Sequence, residues 1–364
     1  MAKGVRIVLQ VDSDFCASLI ADRASRWMGW GKIIGQPAPR PPFFHALSVI
    51  AARYRSGTAM PRPLRFRRCY PIPPIPPFTR TTMSQNEKTW FVTGASKGIG
   101  LSLVRKLLDG GANVVATSRT LASLVDLIGP ASDTFLPVQV DLVDERSVQA
   151  SIAQAISRFG RIDAVVNNAG YGLQGTLEGI SDEELRRNFE VNVFAPAHVL
   201  RHVLPHMRRQ RGGHVFNVGS IAGFQGGYAG WGIYAATKFA LAGLTEALAA
   251  EVAEFGIKAT LVYPGPVRTE FLSSGSLVIA QHNIREYTAA QALLDVHLDE
   301  MAGKQAGDPD KLASMIVQAA GASEPPLHLF AGKIANGLAL QKLAAVERDL
   351  AAWREISDAT DYPD

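Results

Sequence analysis

Residues 89–100 read Thr89-Trp90-Phe91-Val92-Thr93-Gly94-Ala95-Ser96-Lys97-Gly98-Ile99-Gly100. A short apolar run passes into a glycine-rich turn, and 99–108 continues with the apolar spacing of a helix. A helix that starts this way leaves backbone N–H groups free at its N-terminus, where they attract phosphate. The spacing Gly94-x3-Gly98-x-Gly100 lets a pyrophosphate approach the backbone closely. An ordinary tight turn has the same composition, so the stretch alone does not decide its use.

Outward from this turn the chain alternates strand and helix. Segments 113–117, 135–140, 164–167, 214–218 and 258–262 read as further strands, and 147–159, 183–207 and 234–255 as helices. The pattern predicts a doubly wound α/β domain, a parallel sheet with helices on both faces. Residues 268–307 are irregular and helical by turns, 327–330 fits a last strand, and 342–356 a charged terminal helix. No repeat or linker divides 83–364, which reads as one domain.

Residues 1–82 differ in kind. They hold 13 of the 37 Lys and Arg, three of the 33 acidic residues, 11 of the 21 prolines and both cysteines, Cys16 and Cys69. That leaves 24 basic and 30 acidic residues in 83–364, a net charge of −6. The basic balance therefore belongs to the leader, and the remainder has no electrostatic footprint for nucleic acid. Without a thiol, 83–364 has no disulfide, cysteine nucleophile or thiolate metal site, and a reducing, cytoplasmic setting fits. No run approaches the roughly 18 apolar residues of a membrane span, and no apolar segment follows Lys3 and Arg6 as in a secretory signal. Three readings compete for the leader: a transit peptide, a proline-rich interaction tail, or upstream sequence ahead of a true start at Met83. The abrupt compositional change at Met83 favours the third, and on any of them 1–82 is expected to have no stable fold of its own.

Two groups of residues downstream give the glycine turn its meaning. Asn167-Asn168-Ala169-Gly170 ends a strand at the carboxyl edge of the sheet, where such folds bind ligands. At the end of the second strand, Thr117-Ser118-Arg119 offers no acid for a ribose 2′-hydroxyl and one arginine. Arg119 with Lys97 suits a 2′-phosphate, which favours NADP(H) over NAD(H); a solvated surface arginine is the plain alternative. Asp141 either accepts from the adenine amine or caps the next turn. Tyr234 and Lys238 lie one helical turn apart, so their side chains meet. The ammonium is expected to lower the phenol's pKa and fit it to exchange protons with a carbonyl or alcohol oxygen, with Ser220 holding the same oxygen. Each of these features is commonplace alone, and their joint order is what carries the reading.

That order resembles the short-chain dehydrogenase/reductase family over all of 83–364. The carriers are Thr93-Gly94-x3-Gly98-Ile99-Gly100, Asp141, Asn167-Asn168-Ala169-Gly170, Asn192, Ser220, Tyr234-x3-Lys238 and Pro264-Gly265-Pro266-Val267-Arg268-Thr269. The resemblance implies a seven-stranded parallel Rossmann sheet and a tetrad of Asn192, Ser220, Tyr234 and Lys238. Asn192 would anchor a water in the proton relay and Lys238 would bind the nicotinamide ribose. Gly94, Ser96, Lys97, Gly98, Ile99, Gly100, Ser118, Arg119, Asp141, Asn168, Ala169, Gly170, Pro264, Gly265, Val267 and Thr269 would line the cofactor, with Thr269 on the carboxamide. Within the family, Asn168-Ala169-Gly170-Tyr171-Gly172, Phe189-Glu190-Val191-Asn192-Val193 and Gly307-Asp308-Pro309 are similar to reductases of the 17β-hydroxysteroid dehydrogenase kind. Ser220 and Tyr234 stand 14 apart, one more than the family's usual spacing, and the loop 226–232 is expected to absorb the surplus.

His198, His202 and His206 recur every fourth residue, but Pro205 interrupts the stripe and no carboxylate shares it, so no metal site is expected. The resemblance gives this helix to a subunit interface and implies a homodimer or homotetramer. The expected substrate is a small apolar ketone, aldehyde or alcohol, in a pocket of Tyr171, the loop 226–232 and the segment after Thr269, with Tyr228, Trp231, Phe271, Leu272 and Tyr287. The alternative is a non-catalytic protein of the same fold that senses NADPH; it leaves the acid/base pair without a task.

Overall fold

The structure, a computed structural model, describes residues 88–272 and 275–362. The leader, both cysteines and the Met83 start lie outside the described residues. In chain order the main elements are β1 (Thr89–Val92), α1 (Gly98–Asp109), β2 (Asn113–Ser118), α2 (Leu121–Ile128), β3 (Phe135–Gln139) and α3 (Glu145–Phe159). There follow β4 (Ala164–Asn167), β5 (Gly172–Gln174), α4 (Asp182–Phe189), α5 (Ala195–Gln210), β6 (Gly213–Val218) and α6 (Gly232–Val252). The chain then forms β7 (Ile257–Pro264), β8 (Leu277–Ile279), α7 (Thr288–Asp295), α8 (Pro309–Gly321), β9 (His328–Ala331) and α9 (Lys333–Asp358).

Seven strands form one parallel sheet in the order β3-β2-β1-β4-β6-β7-β9. The inner strands are buried on both sides, which is why they read as unbroken Val- and Phe-rich runs. One face packs against α1, α2 and α8 through Leu103, Val104, Leu107, Leu124, Leu312 and Ile316. The other packs against α3, α5 and α6 through Val148, Ile152, Val199, Val203, Met207, Leu248 and Val252. Burying apolar area at about 25 cal/mol per Å² on both faces is the main stabilising term in such a layered fold. Strand order reverses between β1 and β4, so their carboxyl ends open into a crevice.

Several elements depart from the sequence reading. The helix expected over 183–207 is divided: α4 carries a capping box between Ser181 and Glu184, and a π-helical turn, Glu190–Phe194, joins it to α5. Pro196 supplies a physical reason, because it has no N–H to give the Asn192 carbonyl and so cannot continue the α-helical ladder there. The short pair β5 and β8, with three residues each, forms a separate parallel sheet that periodicity could not reveal. α2 and α8 were also unanticipated. α8 starts on an Asp308 cap with Pro309 in its first turn, a start signal present in the sequence.

Candidate active site

β1 delivers the chain to the glycine turn, and Thr93 and Asn168 fix the turn in shape. The Thr93 hydroxyl accepts the N–H groups of Asn168 (3.0 Å) and Ala169 (3.1 Å). The Asn168 amide donates to the Thr93 and Gly94 carbonyls, both at 3.0 Å. Gly94 and Gly98 have φ of +64° and +53°, which other residues rarely adopt. A Cβ on Gly94 would stand 2.8 Å from Ala169 Cα. The first turn of α1 has no side-chain cap and no acidic residue, so its N–H groups keep their affinity for an anion. Gly94, Ser96, Lys97, Gly98 and Ile99 line one wall of a cleft of about 1060 Å³. This donor set and the backbone open to it fit a dinucleotide pyrophosphate.

Ser118 and Arg119 stand at the same cleft where β2 ends, and Arg119 is exposed. Lys97 differs from expectation in one respect: its ammonium donates to the Gly275 carbonyl at 3.1 Å, across the cleft. Burial lowers its pKa, Glu270 acts in the opposite sense, and Arg119 adds to the lowering. Lys97 is thus shared between the glycine turn and the segment after Thr269. Asp141 lines the cleft and also caps the next turn, accepting the Val143 N–H at 3.1 Å. Asn168, Ala169, Gly170, Pro264, Gly265, Val267 and Thr269 complete the lining expected for a cofactor. Gly100 stands behind the wall, where a Cβ would meet the Gly94 carbonyl oxygen and, at 2.6 Å, Asn168 Nδ2.

Of the four expected catalytic residues, Ser220, Tyr234 and Lys238 line the cleft, and Asn192 stands behind its wall. Ser220 is near enough to act on the Tyr234 phenol, so the extra loop residue separates neither from the other. Lys238 donates to the Val218 carbonyl at 3.0 Å, and its Nζ lies 5.8 Å from the centre of the Tyr234 ring. Asn192 is buried behind Gly170: a Cβ there would meet Asn192 Oδ1 at 3.0 Å and Lys238 Nζ at 3.4 Å. Asn192 Oδ1 accepts from Tyr171 N (3.0 Å), while Nδ2 donates to the Tyr171 carbonyl (3.0 Å) and to Thr237 Oγ1 (3.1 Å). Thr237 in turn donates to the Tyr234 carbonyl at 2.7 Å. Sequence reasoning missed Thr237; its place one turn after Tyr234, on the same helix face, was the available signal.

The electrostatics correct one expectation. Burial pushes the Tyr234 phenol up to about 12, with the Ser220 hydrogen bond acting the other way, and burial pushes Lys238 down to about 8. Desolvation thus sets the direction for both groups, because both lose water in the same small volume. The phenol of the protein by itself is firmly protonated near neutral pH.

Beyond Tyr234 the wall turns apolar. Trp231 and Phe271 pack on the Tyr234 ring with centroids 5.6 Å and 5.8 Å away, and Tyr228, Leu272 and Leu293 join them. Tyr171 lines the cleft as expected, but Tyr287 is exposed and donates to Glu178 Oε2 at 2.6 Å, away from the cleft. The segment after Thr269 is a closed excursion, since Arg268 donates to the Gly307 carbonyl (2.8 Å) and Gly307 to that of Pro266 (2.9 Å). From it His297 and Met301 reach the cleft wall, which no local pattern announced. The histidine stripe disperses: His198 Nδ1 lies 3.3 Å from the Leu142 carbonyl, His202 Nε2 3.1 Å from Glu145, and His206 Nδ1 2.9 Å from Arg209.

Known proteins resemble this chain in sequence and fold. An oxidoreductase of Botryotinia fuckeliana, BOA17, is 34% identical over 75% of this chain and 99% of its own length. A short-chain dehydrogenase of Streptomyces avermitilis has a similar crystal structure, with a TM-score of 0.69, 35% identity, and coverage of 75% of this chain and 100% of that one. A 3-ketoacyl-(acyl-carrier-protein) reductase of Brucella melitensis, solved with NADH, matches at a TM-score of 0.55 and 27% identity, over 68% of this chain and 97% of its own. The sequence model described as short chain dehydrogenase matches residues 88–276, more than half of the chain, and the chain belongs to that family of oxidoreductases.

Proposed function

We propose that the chain is an NADP(H)-dependent carbonyl reductase or alcohol dehydrogenase, acting on a hydrophobic ketone or aldehyde in the cytoplasm as a homodimer or homotetramer. The observation that carries this reading is the placement of Ser220, Tyr234 and Lys238 together on the wall of a cleft continuous with the glycine turn. Gly94, Ser96, Gly98 and Ile99 would hold the pyrophosphate, Ser118 and Arg119 the 2′-phosphate, and Lys238 and Thr269 the nicotinamide end. The bound dinucleotide supplies or takes up the hydride.

The protein's part is positional and protonic. Ser220 Oγ and Tyr234 Oη donate hydrogen bonds to the substrate's carbonyl oxygen, and Tyr234 passes its proton to that oxygen as the alcohol forms. A protonated phenol can donate its proton when the carbonyl is reduced, and the phenolate takes one up in the reverse direction. The Lys238 ammonium stabilises the phenolate left behind. Pro196 leaves the Asn192 carbonyl without its α-helical donor, which suits that oxygen to hold a relay water. Trp231, Phe271, Leu272 and Leu293 exclude bulk water and select an apolar substrate body. The similarity to reductases of the 17β-hydroxysteroid dehydrogenase kind points the same way.

Thermal stabilisation of the full chain by NADPH, NADP⁺, NADH and NAD⁺ tests the cofactor site. A ligand at 100 times its dissociation constant adds about 2.7 kcal/mol. Stabilisation by the phosphorylated pair, lost in Arg119→Ala, is expected. A preference for the other pair would reverse the NADP(H) assignment, and no shift from any of the four would remove the enzyme reading itself.

A further inference from the structure

We infer that α9 pairs with the α9 of a second copy of this chain, antiparallel about a two-fold axis beside residue 348. This contact is additional to the one expected at α5. α9 starts on the body of its own subunit, where Ala335, Leu338 and Ala339 pack with Ile221, Phe224 and Phe330. From Val346 to Asp358 every residue of the helix is exposed, so its last three turns stand clear of that body. Large apolar side chains continue along it all the same: Leu340, Leu343, Val346, Leu350, Trp353 and Ile356, with Leu350 63% and Trp353 64% exposed. They run for about 24 Å along the helix. Apolar residues scattered singly over a surface are ordinary, but a continuous stripe marks a contact.

The stripe is complementary to itself. Leu343, Val346, Leu350 and Trp353 follow at intervals of 3, 4 and 3 residues, the seam spacing of paired helices. That spacing is symmetric about residue 348, and an isologous contact requires a patch that matches its own copy. An antiparallel partner sets its Trp353 against Leu343 and its Leu350 against Val346. Lys342 and Asp349 border one edge of the seam, and Glu347 and Arg354 the other. In antiparallel pairing each edge meets its own copy, so Lys342 faces the partner's Asp349 and Glu347 the partner's Arg354. None of these four forms an ion pair among the described residues. Because each α9 starts on its own body, this orientation also holds the two bodies at opposite ends of the seam. A membrane surface suits the stripe less well. α9 carries four basic and four acidic residues, and the acids Glu347 and Asp349 border the stripe where a surface helix carries Lys and Arg.

Light scattering of the full chain and of two variants at exposed positions tests the pairing. Leu343→Glu and Trp353→Lys should each halve the native mass, with the far-ultraviolet circular dichroism unchanged. An equimolar mixture of the two variants should restore the native mass, since only the antiparallel register brings position 343 of one copy to position 353 of the other. A native mass of one subunit, or one that neither variant lowers, overturns the pairing. If that unchanged mass is two or four subunits, the assembly expected through α5 stands without it. Halved masses that the mixture does not restore overturn the antiparallel register. Variants that keep the native mass but lose sedimentation with phosphatidylcholine vesicles would give the stripe to a membrane instead.

Discussion

Tyr234 and Lys238 answer the same burial in opposite ways, and each answer has a measurable consequence. Tyr234→Phe keeps the ring packing against Trp231 and Phe271 and removes the transferable proton. Turnover should fall by about 10²–10⁴-fold, with NADPH affinity nearly unchanged in equilibrium titration; a full-rate variant would refute the mechanism. For Lys238 the sign follows from linkage. Its pKa falls from 10.5 to about 8 on folding, so between pH 8 and 10.5 the unfolded chain binds more protons, and this group's contribution to stability rises with pH. Below pH 8 the desolvation penalty is complete and constant. The melting temperature of wild type relative to Lys238→Met should therefore climb from pH 7 to 9.5, and a flat difference would remove the burial argument. Tyr234 acts in reverse above that window: its phenol, raised from 10.0 to about 12, makes stability fall as pH rises through that range.

The loop 226–232 shows at the level of an element how a residue is inserted without cost to the site. Nothing lies within 4 Å of a Cβ on Gly227, whereas Gly230 has φ +78° and a Cβ there would stand 2.8 Å from Gln174 Nε2. The Gly230 carbonyl also accepts the Gly175 N–H at 2.8 Å, tying the loop to β5. Gly227→Ala should leave stability unchanged or raise it by about 0.4–1 kcal/mol, and Gly230→Ala should lower it by more than that. Equal melting temperatures for the two variants would contradict this description. The loop is thus open at Gly227 and tied down at Gly230. The π turn at Glu190–Phe194 is the companion case. Here a proline in the first turn of α5 marks the departure from α-helical bonding, yet 3.6-residue periodicity runs through 183–207 almost undisturbed. One extra residue in 25 shifts the apolar pattern too little to be read, although it sets where Asn192 points.

At the scale of the molecule, light scattering of the native protein should give two or four times the subunit mass measured in the same sample; a monomer would refute the expected assembly. No described helix is long and apolar enough to cross a membrane. The strands, their parallel pairing and the place of the glycine turn were legible because each depends on local patterning: buried runs of β-branched residues, glycine at left-handed backbone, and strand–helix alternation. Thr93 through Gly100, Ser220, Tyr234 and Lys238 were legible for the same reason, since each site stands at the end of a recognisable element. The tertiary structure alone decided what depends on distant neighbours. It paired β5 with β8 across more than 100 residues, turned Tyr287 outward to Glu178, joined Lys97 to Gly275 and brought His297 against Trp231. It also set the sign of the Tyr234 shift, because spacing records that an ammonium is near, but the water lost by both groups is a property of everything packed around them.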